Sequence, residues 1–213
     1  FPDNEIVRND LLDYFVEIEH FDSQIARAIA LLEKSDQLDN TIIVVTSDHG
    51  MPFPRAKASL YDDGSRIPLA IRWPKGITKP GRTIDVLVNL SDLAPTFLEA
   101  AGVEIPSEIQ GKSIVPTLKG DAKDWRKSLY YSYYEKGEHN VPQHFGVRTE
   151  KHKLFYLPET DEWQLFDLVK DPQELKSVHD NPAYAKMKKK LTKEFHRLRK
   201  HYEAPPMKMK KGN

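Results

Sequence analysis

The chain has 213 residues, of which 39% are hydrophobic and 30% charged, and its formal net charge at pH 7 is zero. This balance is typical of a globular chain with a sizeable core, and its bulk charge favours no nucleic-acid partner. Because the sequence contains no cysteine, disulfide bonds, thiolate metal sites and a cysteine nucleophile are excluded within these residues, and no apolar run approaches the roughly 20 residues of a membrane span.

The first predicted element is an amphipathic helix within residues 1–36. Asp3 and Asn4 are candidate capping residues before it. Apolar residues then recur at steps of three and four, which is the spacing of one helix face. They are Leu11, Phe15, Ile18, Phe21, Ile25, Ile29 and Leu32.

A run rich in β-branched residues at 41–46 predicts a strand covered on both faces, as in a parallel sheet with helices packed against it. Asp48 and His49 follow where this strand ends, and Gly50 lets the backbone turn away. Ligand sites of open α/β sheets lie at such strand ends. A carboxylate and an imidazole suit Ca²⁺, Mg²⁺, Mn²⁺ or Zn²⁺, although two ligands do not complete a site. The alternative is an aspartate that caps backbone N–H groups beside a surface histidine.

The next segment brings two cations back toward the same place. Pro52 and Pro54 restrict the backbone on either side of Phe53, so the loop is expected to be stiff and to hold Arg55 and Lys57 in position. A fixed cation beside a metal ion suits the binding of a tetrahedral oxyanion. The alternative is that both cations are simply solvated.

Further elements are predicted up to residue 122. Strands are expected at 68–73 and 84–88, followed by a helix over 92–101 that Ser91 caps and Gly102 ends. Its predicted buried face consists of Leu93, Phe97 and Ala100.

The composition changes after residue 120, and we predict two domains, 1–122 and 123–213. Short aromatic segments at 129–134, 144–149, 153–156 and 163–167, separated by turn residues, predict an antiparallel meander. A final amphipathic helix follows, with one apolar face formed by Tyr184, Met187, Leu191, Phe195, Leu198 and Tyr202. Eleven Lys or Arg residues after residue 183 indicate either a solvated helix face and tail or attraction to a polyanion.

Taken together, these segments resemble the C-terminal part of a type I, formylglycine-dependent sulfatase of the alkaline phosphatase superfamily. The resemblance covers almost the whole chain, and the run 48–54 is similar to that of heparan N-sulfatases. It implies an α/β fold: part of an alkaline-phosphatase-like central sheet flanked by helices, plus a smaller C-terminal antiparallel sheet with a terminal helix. The matching segments are 39–41, 44–50, Lys57, 60–69, 72–74, 92–96, 101–102, 146–149, 153–154, 165–168 and 171–175.

The resemblance also implies roles for individual residues. Asp48 and His49 would be metal ligands, with Ca²⁺ the first expectation and Mn²⁺ or Mg²⁺ the alternatives, since many relatives carry Asn at the position of His49. Lys57 would be catalytic, binding the sulfate oxygens and assisting the leaving group. His144 would lie near the substrate cleft, or else be structural. For Arg148 we expect an ion pair with an aspartate.

The implied activity is hydrolysis of sulfate esters or sulfamates of a sulfated carbohydrate such as a glycosaminoglycan. The formylglycine nucleophile is expected in an N-terminal portion of the same protein, so this chain alone is expected to be inactive. The resemblance implies a secreted, periplasmic or lysosomal location. Two alternatives are a phosphodiesterase or phosphonate monoester hydrolase of the same superfamily, and a non-catalytic glycan-binding module.

Overall fold

The computed structural model describes residues 1–135 and 141–207. The helices are α1 (Glu5–Lys34), α2 (Asp62–Ser65), α3 (Leu93–Ala100), α4 (Val115–Leu118) and α5 (Ala185–His201). The strands are β1 (Ile43–Thr46), β2 (Leu69–Arg72), β3 (Leu129–Tyr133), β4 (His144–Arg148), β5 (His152–Leu157) and β6 (Glu162–Asp167). Within the described ranges no helix is long and apolar enough to cross a membrane.

The chain divides into two compact units. The first comprises residues 1–43 and 71–75, and the second comprises residues 44–70 and 76–213. The described residues form two sheets, a two-stranded one of β1 and β2 and a four-stranded one in the order β3-β4-β5-β6. The division into domains 1–122 and 123–213 stays a prediction.

Helix α1 dominates the first unit. The Asn4 side chain caps it, because its Oδ1 accepts a hydrogen bond of 3.0 Å from the Val7 N–H. No residue of α1 is buried, and several apolar side chains of the helix are at least half exposed. The predicted helix and its cap are therefore confirmed, while its apolar side chains find little cover within this chain.

The second unit is built around the antiparallel meander β3–β6, whose strands lie within two residues of their predicted positions. Side chains alternate between the two faces of the sheet, since the register pairs Val147 with Leu154 and Leu154 with Leu165. One face packs against α5 to form the main core. Its buried members are Phe145, Val147, Leu154, Leu165, Leu191, Phe195 and Leu198. The other face carries Phe155 and Phe166 and packs against Leu60.

The prediction of a strand at 84–88 is wrong. The backbone there turns locally, with the Val86 N–H donating to the Ile84 carbonyl at 3.1 Å, and no strand of the described chain pairs with it. An apolar, β-branched run favours extended backbone, but a strand also needs a partner for its hydrogen bonds.

The helix after this segment is confirmed, but its start and its buried face differ from the prediction. Asn89, not Ser91, is the capping residue, and it caps a short 3-10 helix, Leu90–Asp92, that leads directly into α3. Its side chain accepts from the Ser91 N–H while Asp92 accepts from the Asn89 N–H. The buried residues of α3 are Pro95 and Thr96, whereas Phe97 is 43% exposed. Gly102 ends the helix with a φ of 70°.

A carboxylate joins α5 to the segment before β3. Glu194 accepts hydrogen bonds from the Ser128 hydroxyl and, at 2.7 Å each, from Nε and Nη2 of Arg197. The Arg197 guanidinium is the main cause that lowers the pKa of Glu194 to about 2, and burial opposes it.

We predict that Leu154→Ala lowers the free energy of unfolding by about 2–5 kcal/mol, because Leu154 is fully buried and its truncation leaves a cavity. Leu175→Ala is the matched control, since Leu175 is 71% exposed and should lose less than about 0.5 kcal/mol. Denaturant unfolding of both variants measures the difference. Equal losses would contradict the assignment of the core to this sheet face.

We also predict that Glu194→Gln reduces the acid sensitivity of the fold. A carboxyl whose folded pKa is depressed adds stability above its unfolded pKa and loses it as pH falls toward the folded value. For Glu194 this window runs from an ordinary value of 4.5 down to about 2. The melting temperature measured against pH should therefore fall less steeply across this window in the variant. A curve parallel to that of the wild type would exclude this contribution.

Candidate metal and anion site

Asp48 and His49 lie directly after β1, and their side chains point the same way. The His49 Nε2 atom is 3.6 Å from Asp48 Oδ2, and the Asp48 side chain is 84% exposed. Adjacent residues of a regular strand would point to opposite faces. Here the backbone has left the strand, because the His49 N–H turns back to donate to Asp48 Oδ1 at 2.9 Å.

The imidazole of His49 is oriented by the backbone. Its Nδ1 lies 2.7 Å from the Gly50 carbonyl, which can only accept, so Nδ1 carries a proton and Nε2 is the ring nitrogen left to face a ligand. Ligands at about 2.0–2.5 Å from one ion lie less than about 5 Å apart, so the 3.6 Å separation from Asp48 permits a shared cation. No group of three His, Cys, Asp or Glu residues in the described ranges could complete such a site.

The carboxylate of Asp48 is held in its charged form. Partial burial raises its pKa, but hydrogen bonds from its own N–H and that of His49, the nearby imidazole and the Ser47 hydroxyl together lower the pKa below its ordinary value. A charged, outward-facing carboxylate is the state that a divalent cation requires.

Two glycines lock the strand end to the loop that follows it. The Gly50 N–H donates to the Gly64 carbonyl at 3.0 Å, and a Cβ on Gly50 would lie 1.7 Å from the Asp63 carbonyl oxygen. A Cβ on Gly64 would lie 2.0 Å from the Ala56 carbonyl oxygen. Only residues without a side chain allow the backbone to approach this closely. The positions of His49 and of the loop are therefore fixed by main-chain contact.

Lys57 lies in a strained part of this loop. Arg55 and Ala58 on either side of it have φ angles of 65° and 58°, which non-glycine residues adopt at a cost of about 1–2 kcal/mol each. The Lys57 N–H donates to the Met51 carbonyl at 3.1 Å, which brings the lysine back to a residue only two positions beyond His49. Backbone strain of this kind persists only where the surroundings enforce it.

A cluster of buried charges supplies that enforcement. Lys153 on β5 has no exposed side-chain surface, and its ammonium donates to the Leu60 carbonyl at 2.7 Å and to Asp62 Oδ1 at 2.6 Å. Its third neighbour is Glu174 Oε1, at 2.8 Å but off the direction of a hydrogen bond, so this contact is an ion pair. Arg148 completes the cluster through Asp62 Oδ2 at 2.7 Å.

The four charged side chains of this ionic cluster, Asp62, Arg148, Lys153 and Glu174, cancel in pairs. Burial raises the pKa of Asp62, but the Arg148 and Lys153 cations outweigh it and lower the pKa overall. For Glu174 burial dominates and raises the pKa, although Lys153 and the Asp62 N–H partly offset it.

The Arg55 side chain anchors the loop to other parts of the protein. Its guanidinium donates to the Glu174 carbonyl at 2.6 Å and lies 3.8 Å from the centre of the Tyr61 ring. The sequence suggested Arg55 as a second oxyanion-binding cation, and the structure instead uses it to attach the loop to the segment after β6. Arg148 pairs with an aspartate, as predicted.

His144 lies on β4, on the sheet face that carries Phe155. It is 4% exposed and stacks on Tyr133 at a centroid distance of 5.1 Å. Its Nδ1 contacts the Pro142 carbonyl at 2.6 Å, and its buried Nε2 has no hydrogen-bond partner in the described ranges. Burial is the main cause that lowers its pKa, so the ring is neutral. No hydrogen bond or ring contact in those ranges links it to Asp48, His49 or Lys57.

Sequence reasoning missed the roles of Lys153 and Glu174. Both lie in segments that matched the family pattern, but a lysine on a strand and a glutamate after a turn are usually solvated. The alternation of β5, which places Lys153 on the same face as Phe155, was the one signal that it faces inward.

The family model that matches the chain is described as "N-sulphoglucosamine sulphohydrolase, C-terminal", and it matches residues 50–201. The N-acetylglucosamine-6-O-sulfatase of Bacteroides thetaiotaomicron is 42% identical over 200 residues, which cover 90% of this chain and 36% of that protein. The chain thus spans about a third of the length of this relative.

Two solved structures have a similar fold. One, a protein in complex with its substrate D-glucosamine-2-N,6-O-disulfate, is 41% identical with a TM-score of 0.82 over 85% of this chain and 38% of that one. A phosphonate monoester hydrolase from Silicibacter pomeroyi is 29% identical with a TM-score of 0.72 over 85% of this chain and 39% of that one.

The fold is thus that of an alkaline-phosphatase-like hydrolase, and the chain corresponds to the C-terminal part of such a protein. Within that class, the chain belongs to the sulfatase family.

We predict that Lys153→Met lowers the free energy of unfolding by about 3–5 kcal/mol, because it leaves the buried Glu174 carboxylate without its cation while Asp62 keeps Arg148. The double variant Lys153→Met/Glu174→Gln should be less destabilised than the single one, since the charge left unpaired at Glu174 is removed as well.

Lys170→Met is the control for this pair, because Lys170 is 75% exposed and its ion pair should contribute less than about 1 kcal/mol. Denaturant unfolding measures all three variants. A double variant that is less stable than Lys153→Met would show that the cluster acts through packing rather than charge.

Proposed function

We propose that this chain forms part of the active site of a sulfatase that hydrolyses sulfate esters or sulfamates of a sulfated amino sugar. The observation that carries the proposal is the convergence of Asp48 and His49 at one braced strand end, followed by Lys57 in a strained loop. Two relatives named for, or solved with, sulfated glucosamines share about 40% identity with this chain, which supports the substrate class.

We assign Asp48 and His49 as two ligands of a divalent cation. Their donor atoms fit one, since a carboxylate oxygen of Asp48 and the Nε2 atom of His49 lie 3.6 Å apart. The hard oxygen donor favours Ca²⁺ and also suits Mg²⁺, and the imidazole admits Mn²⁺. When bound, such a cation supplies charge stabilisation to the sulfate oxygens.

Lys57 is the proposed catalytic residue of this chain. Its ammonium would pair with a sulfate oxygen and stabilise the negative charge that grows on the leaving oxygen. Because the flanking residues Arg55 and Ala58 are held in left-handed conformations, the lysine keeps its direction without reorganising when substrate binds.

The remaining parts of the site would come from the rest of the sulfatase. This chain has no cysteine, so a cysteine-derived formylglycine, which supplies the nucleophilic hydroxyl in the family, would lie in an N-terminal portion that completes the metal site. We keep His144 as a candidate saccharide contact, since its Nε2 is buried and lacks a partner in the described ranges. A secreted, periplasmic or lysosomal location fits this function.

A phosphonate monoester hydrolase is the second candidate, because one such enzyme shares the fold at 29% identity. The divalent cation and Lys57 would bind a phosphonate group in the same way. The lower identity and the family model both favour the sulfatase.

The test uses the complete sulfatase that contains this chain. Lys57→Met should lower kcat/KM for 6-O-sulfated glucosamine by about 10²–10³-fold, because one charge-stabilising donor is lost, and should leave the bound metal in place. Asp48→Asn should instead reduce the bound metal, measured by elemental analysis. Lys119→Met, an exposed lysine outside the site, is the control for Lys57→Met.

Each alternative has its own result. Faster hydrolysis of a matched phosphonate monoester would favour the phosphonate hydrolase. Saccharide binding that is metal-independent and unaffected by Asp48→Asn or Lys57→Met, without turnover, would favour a glycan-binding module. Wild-type kcat/KM in Lys57→Met would refute the catalytic role of this lysine.

A further inference from the structure

A concave surface is lined by residues that do not belong to the loop that carries Lys57. It is a cavity of about 320 Å³ between the segment before α4, the segment before β3 and the last turns of α5. Its charged lining residues are Lys112, Arg126, Lys127, Glu194 and Arg197. We call this surface the basic groove.

The basic groove carries an excess of positive charge. Four cations line it against one carboxylate, Glu194, and even when Asp92 behind Arg126 is included a net charge of two remains. The partial negative charge at the C-terminus of α5, about half a unit, does not cancel this excess. The chain as a whole has no net charge, so the groove is a local feature rather than a reflection of composition.

Part of this charge is held rigidly. Both terminal nitrogens of Arg126 donate to Asp92 at 2.7 Å, and Asp92 is fully buried. Arg197 is fixed by its two bonds to Glu194, which leaves its Nη1 without a protein partner in the described ranges. Because these two arginine side chains are already ordered, binding of an anion beside them would cost little further side-chain entropy.

The other two cations are available to a ligand. Lys112 lies 5.1 Å above the Trp125 ring and donates to the Asp124 carbonyl at 2.9 Å, which leaves two of its three ammonium protons. Lys127 is exposed, and its ammonium has no hydrogen bond or ion pair within residues 1–135 and 141–207. The Tyr202 ring and the Gln110 amide lie beside them, and these groups suit the apolar face and the hydroxyls of a sugar.

We propose that the basic groove binds a sulfated sugar residue of an extended saccharide, outside the residue that is hydrolysed. The naming of the ligand as a sulfated saccharide rests on the proposed function, whereas the anion binding itself rests on the groove. Lys112 and Lys127 contact the sulfate group, and Arg126 and Arg197 provide the fixed positive field. The groove thereby favours long, sulfated chains over monosaccharides.

The experiment measures binding of a heparin hexasaccharide to the complete sulfatase by calorimetry at low and high salt. The double variant Lys112→Gln/Lys127→Gln should bind about fivefold more weakly, as the loss of two exposed charge contacts predicts, and its affinity should depend less on salt. The control is Lys186→Gln/Lys189→Gln, which removes the same charge from exposed positions on α5 outside the groove and should bind within about twofold of wild type.

Four outcomes would overturn the proposal. The first two are an equal loss of hexasaccharide affinity in both double variants and no loss of affinity in either. The third is that Lys112→Gln/Lys127→Gln weakens binding of a desulfated hexasaccharide as much as that of the sulfated one. The fourth is that a DNA duplex binds as tightly as the hexasaccharide and loses as much affinity in this variant. Wild-type hydrolysis of a monosaccharide sulfate is measured in parallel. If hydrolysis is absent while the groove variants behave as expected, the proposed function fails and anion binding stands. If hydrolysis is present and the variants bind like wild type, only the groove proposal fails.

Discussion

The structure depends on one fully buried ammonium group, that of Lys153. A lone charge in such a place would be prohibitively unfavourable, so the protein surrounds it with the Asp62 and Glu174 carboxylates and the Leu60 carbonyl. These groups belong to a loop, a one-turn helix and a turn after β6. The requirement to satisfy one cation therefore adds directional contacts between segments that otherwise meet the sheet through the apolar contact of Leu60 with Phe155 and Phe166.

Directional bonds also explain how a strained loop is tolerated. Apolar contacts can hold a segment at a given depth but do not set its backbone angles. Hydrogen bonds are directional. Those from Arg55 to the Glu174 carbonyl and from Lys153 to the Leu60 carbonyl each fix the position of one carbonyl group. Between these two anchors lie Lys57 and its left-handed neighbours. The charge cluster of the small sheet thus helps to fix the backbone of the loop that carries Lys57.

The spacing of apolar residues predicted helices and strands well where those residues pack against other parts of this chain. Alternating aromatic residues located all four strands of the meander, and the apolar spacing of α5 identified Leu191, Phe195 and Leu198 as core. Residues 84–88 were misassigned because a β-branched run records a preference for extended backbone and not the existence of a partner strand. Asp48 and His49 were found from their position after a strand. Their common direction follows from a hydrogen bond between adjacent residues, which the strand pattern does not report. The anchoring role of Arg55 and the inward-facing Lys153 depend on contacts between residues more than 80 positions apart, which local patterns do not encode.

The interlock between Gly50 and Gly64 bears on how this loop can diversify. Any side chain at either glycine would collide with a main-chain carbonyl, so neither position can be varied without moving the strand end itself. The exposed Pro52 and Pro54 make no such contact and lie on the same loop. A library designed to alter the ligand preference of the loop would therefore randomise the two prolines and keep the two glycines. The architecture separates positions that preserve the backbone of the strand end from positions on which selection can act.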